Sequence, residues 1–137
     1  MAGGPSQSDR LDLSGAWQGL YSYPVKQPSV PFTATLDEAL GWLTGRTEET
    51  GSIGDARGLT ISATLQGRRT GRSVTFLKTY DGAYRGYDSV RYEGAVNEEG
   101  TEIDGRWSIA GVWSGSFLMI RSGSAGFALT RETAEQV

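Results

Sequence analysis

Apolar and polar residues alternate along most of this chain with a period of two, in short runs separated by glycine- and proline-rich segments. Such alternation marks strands that bury one face and wet the other. The first run, Ser14 to Tyr23, places Trp17, Tyr21 and Tyr23 on one face and Ala16, Gln18 and Leu20 on the other. After a connection stiffened by Pro24, Pro28 and Pro31, the run Phe32 to Glu38 sets Phe32, Ala34 and Leu36 against Thr33, Thr35 and Asp37. Trp42 to Glu49 follows, with Leu43, Gly45, Thr47 and Glu49 on the side expected to face inward. Leu59 to Gln66 carries Leu59, Ile61, Ala63 and Leu65 on one face.

A turn from Gly67 to Gly71 leads into Ser73 to Tyr80, which Asp81-Gly82 ends with a pair suited to positive φ. Val90 to Val96 aligns Val90, Tyr92, Gly94 and Val96, and Asn97 to Gly100 forms a hairpin connection into Glu102 to Ile109. Ala110-Gly111 turns the chain into Val112 to Arg121, with Phe117 and Met119 on one side and Leu118 and Ile120 on the other. Gly126 to Arg131 is expected to close or cap the sheet. About eight strands at this spacing, with no competing helical period, predict an all-β fold, a single up-and-down antiparallel β-barrel. Twenty glycines against four prolines suit a strongly curved sheet. The expected organisation is a disordered lead over 1–12, a barrel over 13–131 and a frayed tail over 132–137.

Composition removes whole classes of chemistry. The chain has no cysteine and no histidine, so thiolate nucleophiles, imidazole bases, histidine-held haem and the usual transition-metal ligands are all missing. No acidic loop has calcium-binding spacing, and no glycine-rich turn has the ending of a phosphate loop. No cofactor or metal is therefore expected. The net charge is −3 and the only dense basic cluster is Arg68, Arg69 and Arg72, which speaks against nucleic acid as a partner. No apolar run approaches the roughly 20 residues of a membrane span, so a soluble, cytoplasmic protein is expected. Catalysis would have to rest on carboxylates, from Glu48, Glu49, Asp88, Glu93, Glu102 and Asp104. Alternation turns Glu102 and Asp104 toward solvent, and only Glu49 shares the inward face, so the chain reads as a non-enzyme.

The pair Gly15-x-Trp17 at the start of the first strand, with Arg121 at the end of the last long one, resembles the calycin superfamily of lipocalins, fatty-acid-binding proteins and avidins. That resemblance implies a tryptophan plugging one barrel end with a cation packed over its indole, Arg131 being the competing partner. Strand order is most similar to the avidin-like branch, through LTGRTEE from Leu43, GRSVTFLKTY from Gly71, and then VRYEGAV, EIDGRW and WSGSF. Carried over, Phe76, Tyr92 and Trp107 fall where those proteins place the aromatic walls of the ligand cup. Their polar biotin contacts fall on Gly19, Tyr23, Thr47, Glu49 and Arg121, so the resemblance does not extend to biotin.

These readings converge on a small, partly apolar ligand held in a barrel cup. Its expected contacts are Tyr21, Tyr23, Phe76, Tyr92 and Trp107, with Arg85 from the loop Asp81 to Asp88 and Glu49 near the mouth. The alternative is a packed barrel that acts as a protein-interaction or homo-oligomerisation module through an outer apolar face of Leu77, Leu118 and Ile120, with Trp113 in the contact.

Overall fold

The computed structural model describes residues 11–123 apart from Ile53, Ala83, Arg85 and Gly86. Eight strands follow one another: β1 (Gly15–Ser22), β2 (Val30–Ala39), β3 (Trp42–Thr50), β4 (Thr60–Thr70), β5 (Ser73–Tyr80), β6 (Val90–Val96), β7 (Glu102–Ile109) and β8 (Trp113–Arg121). Each pairs antiparallel with its sequence neighbours, and β8 returns to β1 through pairs such as Trp17 with Arg121 and Tyr21 with Phe117. The result is a closed up-and-down barrel, compatible with a calycin-like fold. Closure leaves no unpaired sheet edge.

Strand parity sets the interior. Trp17, Phe32, Ala34, Leu36, Leu43, Ile61, Leu65, Val74, Phe76, Tyr92, Val96, Ile103, Trp107, Phe117 and Met119 are all buried, as alternation predicts. Strand ends differ from the sequence reading by one or two residues at several places, and β4 differs at both of its ends. Leu59 lies outside β4 and is 47% exposed, because the loop from Gly51 is closed by its own bonds, Gly51 N–H to Leu59 O and Gly58 N–H to Gly51 O. At its other end β4 runs on to Thr70 rather than turning at Gly67, since Gly67 pairs with Phe76 and Arg69 with Val74. The segment Gly126 to Arg131 lies outside the described residues.

Several inward glycines stand opposite an aromatic residue on the neighbouring strand: Gly19 opposite Phe32, Gly67 opposite Phe76, Gly105 opposite Phe117 and Gly115 opposite Trp107. A methyl group at Gly115 would come within 2.6 Å of the Trp107 ring nitrogen. At Gly19 and Gly115 the missing side chain leaves room for the Phe32 and Trp107 rings, which occupy the space a Cβ would need.

One barrel end is sealed. The Arg121 guanidinium sits 4.7 Å from the Trp17 ring centre, and the Trp17 indole N–H donates to Leu13 O at 2.9 Å. Arg121 also donates to the carbonyls of Asp12, Ser14 and Gly100. Beside it, Arg69 grips both oxygens of Glu38 and donates to Leu11 O and Gly71 O. Two inward arginines thus hold Leu11–Ser14 across the closed end, Leu13 being fully buried there. The cluster of three arginines is dispersed accordingly: Arg68 lies over the exposed Trp42 ring, Arg69 points inward, and Arg72 donates to Val96 O.

The expected outer apolar face does not form as one patch. Leu77 is exposed on β5, Ile120 on β8 is 1% exposed, and β6 and β7 separate the two strands. Trp113 shares the inward parity of Phe117 and packs against Tyr23 and Trp107 instead. Among the described residues no helix is long and apolar enough to cross a membrane.

Candidate functional site

The open end carries the chemistry. Glu49, next to last in β3, is 5% exposed, and three hydroxyl or ammonium donors converge on it. Tyr21 Oη donates to Oε2 at 2.5 Å, while Lys78 Nζ at 2.8 Å and Tyr80 Oη at 2.9 Å both donate to Oε1. Parity explains the meeting: Tyr21, Glu49, Lys78 and Tyr80 are inward positions near the same ends of β1, β3 and β5. Lys78 is itself 1% exposed, and its nitrogen lies 4.9–5.8 Å from the ring centres of Tyr80, Phe32, Tyr21 and Tyr92. An ammonium is thus enclosed by one carboxylate and four π faces, both of which favour a cation.

Aromatic rings build the walls around this pair. Phe76 stacks on Tyr92 at 4.9 Å, and Phe117 meets Tyr92 edge-on at 4.9 Å. Trp107 packs edge-on against Tyr21 and Tyr23 and anchors its indole N–H on Ser22 O. Tyr23 lies 4.9 Å from Trp113, and Tyr80 meets Tyr87 edge-on at 5.0 Å. Between these rings a cavity of about 50 Å³ opens at the mouth, lined among others by Tyr21, Tyr80, Tyr92, Trp107 and Trp113. That volume takes a water or the head of a small molecule; a benzene-sized guest needs a space of roughly 150 Å³. A larger concavity of about 400 Å³ lies over β1, β2 and β3, where Leu20, Pro31 and Thr33 contribute.

Burial governs protonation here. It lowers the Lys78 ammonium pKa below the ordinary lysine value, with the Glu49 charge opposing the shift. It raises the phenol pKa values of Tyr21, Tyr80 and Tyr92, and the Glu49 carboxylate adds to each rise. Those phenols therefore stay protonated and act as donors throughout the neutral range. Tyr23 shifts upward as well, mainly through burial.

Of the ligand contacts expected from sequence, Tyr21, Tyr23, Glu49, Phe76, Tyr92 and Trp107 come together around this end of the barrel. Glu49 is no rim charge but a buried acceptor. Arg85 lies outside the described residues. Asp88, the other carboxylate near the mouth, is exposed. Sequence reasoning missed Lys78, Tyr80 and Trp113. The signal for all three was parity: Lys78 and Tyr80 continue the inward series of Val74 and Phe76, and Trp113 that of Phe117. No protein-family model matches the chain, and neither does any curated protein.

Proposed function

We propose that the barrel binds a small, partly apolar molecule at its open end, without catalysis, in the manner the calycin resemblance implies. One observation carries this reading: an ion pair, Lys78 with Glu49, buried directly behind Tyr21, Tyr80 and Tyr92, three of the rings that line the mouth cavity. Two charges withdrawn from water contribute little net stability, and hydrocarbon of similar volume would serve a packed core as well or better. A polar floor beneath an apolar, ring-lined entrance is the composition of a ligand site. The guest places its polar head over Tyr21, Tyr80 and Lys78 and lays its apolar body against Tyr23, Trp107 and Trp113.

Tryptophan fluorescence tests this directly, because Trp107 and Trp113 line the mouth. Titration with small aliphatic alcohols and aldehydes is expected to give saturable quenching in the natural protein. The same titration of a folded Lys78→Met, Glu49→Gln double variant is expected to lose it. Absence of saturable change across such a panel removes the reading.

A second reading, a filled barrel that acts only through its outer wall, draws on the small volume of the mouth cavity. Light scattering showing a stable dimer, together with no ligand response, is the outcome that favours it.

A further inference from the structure

We infer that Lys78 captures a carbonyl compound, an aldehyde above all, as a reversible imine at the floor of the mouth. This rests on the reading of that mouth as a ligand site and names its ligand class. Among the described residues the Lys78 nitrogen touches one charged group, Glu49, and is otherwise walled by aromatic rings. Three of those rings, Tyr21, Tyr80 and Tyr92, also line the mouth cavity. The amine therefore stands one ring beneath a space that fits a carbonyl head, with room for an apolar tail only at the rim. Tyr80 is half-buried and terminal in β5, so it is the ring whose swing opens the path to the nitrogen.

The chemistry closes on the groups present. Burial away from water favours the neutral, nucleophilic amine and outweighs the pull of the Glu49 charge toward the ammonium. Glu49 Oε1, 2.8 Å away, accepts the proton the ammonium gives up. The neutral nitrogen adds to the carbonyl carbon, a C–N bond forms as the C=O π bond opens, and one of the nitrogen's protons passes to the oxygen to give a carbinolamine. Glu49 returns its proton to the carbinolamine hydroxyl, the C–O bond breaks and one water leaves. The sum is one aldehyde and one ammonium giving one protonated imine and one water, with Glu49 again a carboxylate beside a cation. Tyr21 holds that carboxylate in place throughout, through its bond to the other oxygen, Oε2.

The sequence supplies an internal control, because its lysines are Lys26 and Lys78 and Lys26 is exposed. The full chain is incubated at neutral pH with butanal and sodium cyanoborohydride, and the secondary amines formed are located by peptide mass mapping. 1-Butanol, which cannot form an imine, reports non-covalent binding through tryptophan quenching. Labelling at Lys78 at least roughly tenfold faster than at Lys26, slowed by 1-butanol, is the result expected; tenfold corresponds to a preference of about 1.4 kcal/mol. Labelling confined to Lys26 and the N-terminal amine, while 1-butanol still quenches, overturns the imine and leaves the binding reading intact. No labelling at Lys78 and no quenching overturn both. A folded Glu49→Gln variant is expected to lose most of the Lys78 rate and to keep that of Lys26. An unchanged ratio overturns the proton transfer assigned to Glu49.

Discussion

Lys78 and Glu49 form an ion pair at 2.8 Å in which each side chain is 1% exposed. A pair so placed is sensitive to the loss of one partner and tolerant of the loss of both. Lys78→Met alone strands a carboxylate in the interior and is expected to cost about 3–5 kcal/mol. The double variant Lys78→Met, Glu49→Gln keeps an acceptor for Tyr21 and Tyr80 and removes both charges. It is expected to return to the natural stability or to exceed it by about 1–4 kcal/mol. Urea unfolding of the three proteins measures the difference, and a double variant less stable than the single one contradicts the assignment of the pair to function rather than stability.

The closed end makes the opposite prediction, since Arg121 there serves the fold. It combines the Trp17 ring contact with donors to three carbonyls. Arg121→Ala is expected to destabilise by about 2–3 kcal/mol, from the cation–π contact and the lost charged hydrogen bonds. Arg121→Lys keeps a cation over the indole but cannot reach three acceptors with one nitrogen, so it is expected to recover only part of the loss. Urea midpoints of the two variants decide it, and ligand quenching at the far end should be unaffected in either.

Thr47 is buried between Ala34 and Ala63 on the neighbouring strands, and its hydroxyl has no hydrogen-bond partner among the described residues. Replacing that hydroxyl by a methyl removes an unsatisfied group without changing the volume much. Thr47→Val is therefore expected to stabilise the barrel by about 1–2 kcal/mol. A thermal-melt comparison checks it, and a lower melting temperature for the variant contradicts the prediction.

The walls of this barrel were legible in the chain because parity is a local property. Ser73–Tyr80, Val90–Val96 and Glu102–Ile109 begin and end where alternation and turn residues place them. Charged residues were the difficulty. Lysine and arginine are surface residues unless paired, and the partners lie far along the chain: Glu49 is 29 residues from Lys78, and Glu38 is 31 from Arg69. Alternation from Phe76 does put Lys78 inside, but only the closed ring of strands shows that a carboxylate waits there. Trp113 escaped for a related reason. Its strand is apolar on both faces, so hydropathy alone does not choose a side, whereas pairing with Ile109 and packing on Tyr23 do.

Alkaline titration should expose the same site through its phenols and its amine. Tyr21, Tyr80 and Tyr92 have folded-state pKa values raised above 10.0 by burial and by the Glu49 charge. The unfolded chain loses these protons above about pH 10 and the folded chain keeps them, so stability is fully present below pH 10 and falls as pH rises beyond it. Each phenol contributes a slope of about 1.4 kcal/mol per pH unit, giving roughly 4 kcal/mol per unit for the three together. Lys78 acts with the other sign. Its folded pKa lies below 10.5, so the unfolded state binds the extra proton between the two values and stability climbs with pH up to about 10.5. A stability maximum near pH 10 with a steep alkaline limb is the expected outcome, followed by urea midpoints and by tyrosinate absorbance. Tyr92→Phe should reduce the slope of the alkaline limb by about 1.4 kcal/mol per pH unit, and Lys78→Met should abolish the climb below it. A titration in which the folded protein shows tyrosinate at pH 10 as an unfolded peptide does would contradict the burial of these phenols around Glu49.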